Sequence, residues 1–471
     1  MRLSTKLLTA FLAVGVLPAS VIGLLALHKA GKALEKQSYE KLVAMRDVKK
    51  GQIDAFFQER QDDMAVLVGN VEAIRSESLS KLSALCEARK HEVERYFQSI
   101  ESQILTFSED QMIVDAMIQF KQLFPKVREE NNLTRQDIER MTSELSTYYS
   151  SQFDRKYLTE NGRSANPAQY LNQLDDDSVA AQYYYIQANP NPLGSKEAMD
   201  RATDQSGFSQ LHARVHPLVR TFLQKFGYYD IFLVDSETAD IVYSVFKELD
   251  FSTSLVDGPY AQTNLGKAFR QANQAGQRDA VVLVDYERYT PSYEAPASFI
   301  ASPIFDGDKK IGVAMFQMPI DRLNQIMAGR AGLGETGETY LVGSDHLMRS
   351  DSYLDPTHRS VVASFRNPAR GEVQTQAVEK ALKGQTGTDV ITDCSGNPVL
   401  SAYTPVQVGD LRWALVAEID VTEAFCPKDS NGDHYYDRYV KEYGYYDLFL
   451  VNPDGHCFFT VCRESDYQTN L

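Results

Sequence analysis

From Leu7 to Leu27 the chain runs LLTAFLAVGVLPASVIGLLAL, without one charged side chain. A helix of that length crosses a bilayer, and Pro18 need only kink it. The competing reading is a cleaved signal peptide. Its apolar core is usually about 7 to 15 residues, and no clear small-x-small site precedes the Lys-containing stretch that follows. An uncleaved signal anchor is therefore expected, and no other window is apolar enough to span. Beyond it the pattern turns amphipathic. KLVAMRDVKKGQIDAFFQERQDDM from Lys41 and KLSALCEARKHEVERYFQSIESQI from Lys81 are two copies of one segment, offset by 40 residues. Ile53, Phe56 and Phe57 in one, and Val93, Tyr96 and Phe97 in the other, fall at helical spacing among charged positions. Each 40-residue unit would be about 60 Å long as a continuous helix, which suits a stalk or, more simply, a coiled-coil spacer. Gly69-Asn70 and the Ser76, Ser78, Ser80 cluster predict a break between the copies.

Further along, the period becomes that of strands, and the chain repeats again. FGYYDIFLVDSETADIVYSVFKELDFSTSL from Phe226 and YGYYDLFLVNPDGHCFFTVCRESDYQTNL from Tyr443 each read as strand, polar turn, strand. Phe222 and Tyr439 hold equivalent places in the amphipathic helical pattern ahead of each copy. A third relation lies between SPIFDGDKKIGVAMFQMPID from Ser302 and TPVQVGDLRWALVAEID from Thr404, which share a Gly-Asp turn between apolar strands. The order strand, strand, helix, three strands thus occurs twice. It predicts an α+β protein with two antiparallel sheets and helices on one face. The expected divisions are residues 1–30, a cytoplasmic stub and membrane helix; 31–200, a helical stalk and helical region; 201–330 and 331–425, two sheet modules; and 426–471, the start of a further, truncated one. Two strands without the rest of their sheet are marginal, so the chain reads as a fragment or truncated product of a longer protein.

Composition narrows this picture. With 43% hydrophobic and 24% charged residues over 471 positions, the chain has a globular balance. Its formal net charge of −16 argues against nucleic acid as a partner. Residues 1–36 hold five Lys or Arg and one Glu, net +4, which leaves −20 on the remainder. A basic N-terminus before a large acidic body predicts a single-pass protein of the inner (cell) membrane, its body extracytoplasmic. The five Cys are too few for a disulfide scaffold, and none shows C-x2-C spacing.

With anchor, long helix and paired sheets together, the chain resembles the extracytoplasmic double Cache sensor region of bacterial transmembrane receptors, especially methyl-accepting chemotaxis proteins. The blocks carrying the resemblance are Ala188 to Lys196 (ANPNPLGSK), Tyr228 to Asp235 (YYDIFLVD), Ser292 to Asp306 (SYEAPASFIASPIFD) and Gly334 to Ser350 (GETGETYLVGSDHLMRS). The resemblance implies tandem PAS-like modules, membrane-distal and membrane-proximal. It also implies a small-molecule ligand, a parallel homodimer, and signalling by a small displacement of the membrane helix. Receptor kinases and nucleotide cyclases carry similar regions. The departure lies after residue 425, where a second membrane helix, a HAMP-like linker and a signalling coiled coil would follow in a complete receptor; a third sensor unit starts instead.

Candidate chemistry is sparse. Gly332-x-Gly334-x-x-Gly337 precedes a strand instead of opening a helix, so it reads as a tight turn and not a dinucleotide loop. Asp429-Ser430-Asn431-Gly432-Asp433 begins like a calcium loop, but Val440 stands where the bidentate Glu would be. His212 and His216 lie four apart without the Glu that a zinc protease needs. No catalytic, cofactor or metal site is expected. For a ligand, the aromatic and hydroxyl-bearing set Tyr243, Asp285, Tyr289, Ser292, Tyr293, Ser298 and Phe299 in the first module is the candidate, with Asp285 placed to hold an ammonium. A membrane-anchored structural or adhesive ectodomain is the competing reading, and an extracytoplasmic hydrolase a more distant one.

Overall fold

The computed structural model describes residues 3–426, 428, 432, 434–451, 455, 457–467 and 469–470. The calcium-loop-like Asp429–Asp433 stretch lies, apart from Gly432, outside them. The chain divides into two units, Met1–Arg75 and Ser76–Leu471. In the first unit the chain is helical from Leu3, with one π-helical turn at Leu12–Val16, and every residue from 3 to 59 is exposed. Over residues 7–27 that exposed surface carries no charged side chain, and the helix is long and apolar enough there to cross a membrane. The helix that starts at Leu17 ends only at Glu109. The expected break at Gly69-Asn70 and the serine cluster is absent. A helical glycine costs only about 1 kcal/mol relative to alanine, and no proline falls between Pro18 and Pro125. The helix stops where Asp110 turns extended and caps the next one, Gln111–Leu123, through Met112 N at 2.8 Å.

In the second unit a five-stranded antiparallel sheet has the order β2-β1-β5-β4-β3, from β1 (Asp230–Asp235), β2 (Ile241–Ser244), β3 (Val282–Tyr289), β4 (Ala295–Asp306) and β5 (Lys309–Gln317). Alternation gives it two distinct faces. Ile231, Leu233, Ser302 and Phe316 point to the long helix: Phe107 meets Phe316 with centroids 5.2 Å apart, and Ser108 bonds Ser302 at 3.1 Å. Asp230, Phe232, Phe299 and Gln317 point the other way, where the loop after β2 and the helix Asn264–Gln274 cover them.

The second lobe has the order β6-β9-β8-β7, from β6 (Glu338–Val342), β7 (Gly387–Thr392), β8 (Pro398–Val408) and β9 (Leu411–Asp420). Its expected second strand is reduced to a single bridge, Val342 to Met348. Cys86 and Phe97 of the long helix pack beneath it, Phe97 at 5.5 Å from Trp413. The helix Gln376–Leu382 lies across β8 and β9. A helix, Tyr435–Tyr443, and a hairpin of β10 (Phe449–Val451) and β11 (Cys457–Thr460) follow.

One device recurs in all three sheets. Asp230 Oδ1 accepts the amides of Ile231, Val245 and Phe246 at 2.7, 2.9 and 3.1 Å. Asp447 Oδ1 accepts those of Leu448, Val461 and Cys462 at 2.7, 2.9 and 3.0 Å. In the second lobe Glu338 Oε2 takes Ser352 Oγ and the amides of Tyr353 and Leu354 at 2.8, 2.8 and 3.2 Å. A carboxylate at or just before the start of the first strand thus gathers backbone donors that would otherwise be buried unpaired.

Candidate ligand-binding site

The first lobe concentrates buried charge on the sheet face turned away from the long helix. Asp230 spends Oδ1 on the loop, while Oδ2 is buried without a partner. The loop after β2 then delivers Lys247, Glu248 and Asp250 within four residues. Lys247 and Ser252 are held at φ 57° and 65°, left-handed conformations that cost a non-glycine residue about 1–3 kcal/mol and cluster at functional sites. The helix Asp176–Gln182 imposes this shape. Gln182 Nε2 donates to the carbonyls of Leu249 and Phe251 at 3.0 and 2.8 Å, Ser178 Oγ donates to Ser252 O at 2.6 Å, and the Tyr149 hydroxyl holds Gln182 Oε1.

Around the carboxylates, the Tyr289 hydroxyl donates to Asp250 Oδ2 and leaves Asp250 Oδ1 without a partner. Gln317 Nε2 donates to Ser292 Oγ at 3.1 Å and leaves Oε1 free of partners. The Tyr229 hydroxyl reaches Glu248 Oε1 at 3.3 Å. Burial, then the charge of Asp250, pushes Asp230 upward; burial raises Asp250, and burial followed by the other two carboxylates raises Glu248. Burial draws Lys247 down against the pull of Asp230. Three acids with one base and several unsatisfied acceptors suit a ligand that brings N–H donors. The adjoining cleft, lined by Tyr148, Phe153, Ile186, Lys196, Glu248 and Tyr293, holds only about 20 Å³, room for one water. Tyr293 closes it, stacked on Phe153 at 5.1 Å with Lys156 Nζ 4.0 Å from its centroid.

Of the seven residues singled out in the sequence, Tyr289, Ser292, Tyr293 and Phe299 stand around this chamber. Three do not. Tyr243 pairs with Leu233 and so faces the helices, its hydroxyl 2.8 Å from His216 Nδ1 and its ring 5.3 Å from Phe120. Ser298 Oγ donates to Val284 O at 2.7 Å. Asp285 sits where a bulge breaks the β3 register between Val284 and Glu287, and it leaves the lobe altogether. Arg349 of the second lobe clasps it through Nε and Nη2, each at 2.8 Å, and Trp413 Nε1 donates to it at 3.2 Å. His212 and His216 are buried and stacked 4.4 Å apart, each with Nδ1 in a hydrogen bond.

The charged core of the chamber, Asp230, Lys247, Glu248 and Asp250, was not read from the sequence, because a Lys-Glu-x-Asp run after a strand looks like a solvated turn. The repeat carried the signal. Arg463, Glu464 and Asp466 occupy the matching places after β11, Arg463 is also left-handed at φ 50°, and the Tyr446 hydroxyl donates to Glu464 at 2.8 Å as Tyr229 does to Glu248. A larger cavity of about 770 Å³ lies between residues 78–85 of the long helix, the 331–336 turn and residues 419–424. Among the described residues, none of its lining side chains carries a buried polar atom without a partner, and Glu423 is committed to the amides of Glu335 and Thr336 at 2.7 Å.

Residues 206–427 match the family model of the Cache domain. No curated protein matches the chain in sequence. Among solved structures it is similar to the extracellular domain of vpHK1S-Z8, described as a histidine kinase, at 11% identity over 76% of this chain and 95% of that one, TM-score 0.38. It is also similar to the ligand-binding domain of the Pseudomonas aeruginosa PAO1 amino acid chemoreceptor PctB in complex with L-Arg, at 18% identity over 46% and 84%, TM-score 0.30. A third is the ligand-binding domain of the Pseudomonas fluorescens chemoreceptor CtaA in complex with L-serine, at 13% identity over 60% and 93%, TM-score 0.29.

Proposed function

We propose that residues 206–427, which form a Cache domain, are the small-molecule sensor of a receptor held in the cell membrane by its N-terminal helix. In this reading the ligand enters the first lobe and meets Asp230, Glu248 and Asp250 with N–H donors. The chain binds and does not turn over what it binds. The observation that carries this is the buried carboxylate cluster with unpaired oxygens, built on a strained loop and shut behind aromatic rings. Unpaired buried acceptors are costly, and a ligand that donates to them offsets that cost.

A route outward also supports the reading. Tyr289, which holds Asp250, is on β3; Asp285 of the same strand grips Arg349 and Trp413; Trp413 rests on Phe97 of the long helix. Ligand can shift this chain of contacts only through different affinities for two arrangements of it. The test is a thermal-shift screen of the full chain in detergent against amines, amino acids and organic acids. A specific ligand raises the melting temperature by mass action, and Asp250→Asn abolishes that rise. Silence across all classes would favour a structural or adhesive ectodomain instead.

A further inference from the structure

The second lobe carries its own cluster of unsatisfied groups, at the place in its sheet that corresponds to the chamber of the first. Glu338 stands where Asp230 does at the start of the first strand. Across the ladder it pairs with Glu418, as Asp230 pairs with Gln317, and Glu418 pairs with Ser401, as Gln317 pairs with Phe299. An amide and a ring in the first lobe are thus a carboxyl group and a hydroxyl in the second. Tyr340, two residues along β6 from Glu338, shares that face. Glu418, Tyr340 and Ser401 are 4%, 2% and 0% exposed. The Tyr340 hydroxyl turns toward Glu418 but outside good hydrogen-bond geometry, so that Glu418 Oε2, the Tyr340 hydroxyl and Ser401 Oγ have no well-formed partner.

The charges around Glu418 do not supply what is missing. Glu338 and Asp393 add negative charge. Arg359 is the nearby cation; its Nη1 is taken by Asp355 Oδ2 at 2.7 Å and its Nη2 by Cys394 O at 3.1 Å, while its Nε is itself buried without a partner, so no bond from it reaches Glu418 Oε2. Buried polar groups in folded proteins are nearly always paired. Three oxygens from three adjacent strands, with an excess of carboxylates, match the three N–H donors of a primary ammonium group.

We propose that the second lobe holds a separate binding site for a small primary ammonium, the ammonium ion or a short alkylamine, seated on Glu418, Tyr340 and Ser401. The site is independent of the ligand chamber in the first lobe. Burial, reinforced by Glu338, pushes Glu418 up to about 8, so a proton competes with the cation at lower pH.

The experiment titrates ammonium chloride, methylammonium chloride and tetramethylammonium chloride, at matched ionic strength and about pH 9, against the full chain in detergent, and reads the melting temperature. The first two are expected to raise it saturably and the third, which has no N–H, to leave it unmoved. The apparent affinity should fall at least tenfold in Glu418→Gln and in Ser401→Ala, the latter serving if the former fails to fold, and it should persist in Asp250→Asn. Equal shifts from all three salts, or no shift, would mean that Glu418 merely keeps a proton, and the proposal falls. A shift lost in Asp250→Asn and retained in Glu418→Gln would place the cation in the first lobe and overturn it equally, without touching the reading of that lobe.

Discussion

Single side chains decide how this protein responds to pH. Glu418 is buried and its acidity weakened to about 8 by desolvation and then by Glu338. The folded protein therefore keeps a proton that the unfolded chain releases near 4.5, so this stabilisation is complete below that pH and is lost as pH rises through 8. Each tenfold change in proton affinity is worth roughly 1.4 kcal/mol, which makes the loss a few kcal/mol. His216 acts with the opposite sign: burial, then Lys247, lowers it to about 3, so it withdraws stability as pH falls below the ordinary histidine value. Above the ordinary histidine value, from about pH 7 to 9, urea midpoints should fall for the wild type, and Glu418→Gln should flatten that fall while leaving the acid limb alone. An identical slope in the variant would refute the assignment. Neither effect was legible in the sequence. Glu418 stands near the end of its strand like any rim residue, and only the Glu338 and Glu418 pairing across β6 and β9 puts it indoors.

At the scale of elements, the strands and their repeats were legible because period-two alternation and turn residues are local signals. Breaks in the long helix were not, because Gly69 and the nearby serines weigh little against so many strong helix formers. Gly69 is exposed, and a Cβ built on it meets nothing within 4 Å. Gly69→Ala should therefore stabilise the helix by up to about 1 kcal/mol, read as a small rise in melting temperature with unchanged or higher helical circular dichroism. A true break at that point would make the change neutral or harmful. The loop after β2 was half legible. Its Lys-Glu-x-Asp run is plain in the sequence, but its inward turn depends on Gln182 and Ser178, from a helix some seventy residues upstream. Gln182→Leu removes the two bonds to Leu249 and Phe251 carbonyls. It should free the loop, seen as faster amide exchange at Leu249 to Thr253, and weaken binding of whatever ligand the first lobe takes.

For the second unit as a whole, the deciding contact joins its two lobes. Arg349 is 1% exposed, and its guanidinium passes so close to Gly343 that an added Cβ there would lie 2.2 Å from Cζ. It grips Asp285 bidentately, keeps Asp345 at 3.0 Å, and shares Asp285 with Trp413. Arg288 adds a bond to Phe365 O at 2.7 Å. In the sequence Asp285 resembles a ligand residue because one carboxylate among tyrosines suggests a pocket, and its true partners lie 64 and 128 positions away. Removing one member of a buried pair costs about 3–5 kcal/mol, since the other is left charged and unpaired. Arg349→Met should therefore lower stability by that order and, by uncoupling the lobes, split a joint calorimetric transition into two, the second lobe melting first. Asp285→Asn, made on the first lobe, should separate the transitions with a smaller loss, because Asp345 still faces Arg349. If both variants keep one transition at the wild-type temperature, the clasp does not hold the lobes together, and the route from Tyr289 through Trp413 to Phe97 loses its middle link.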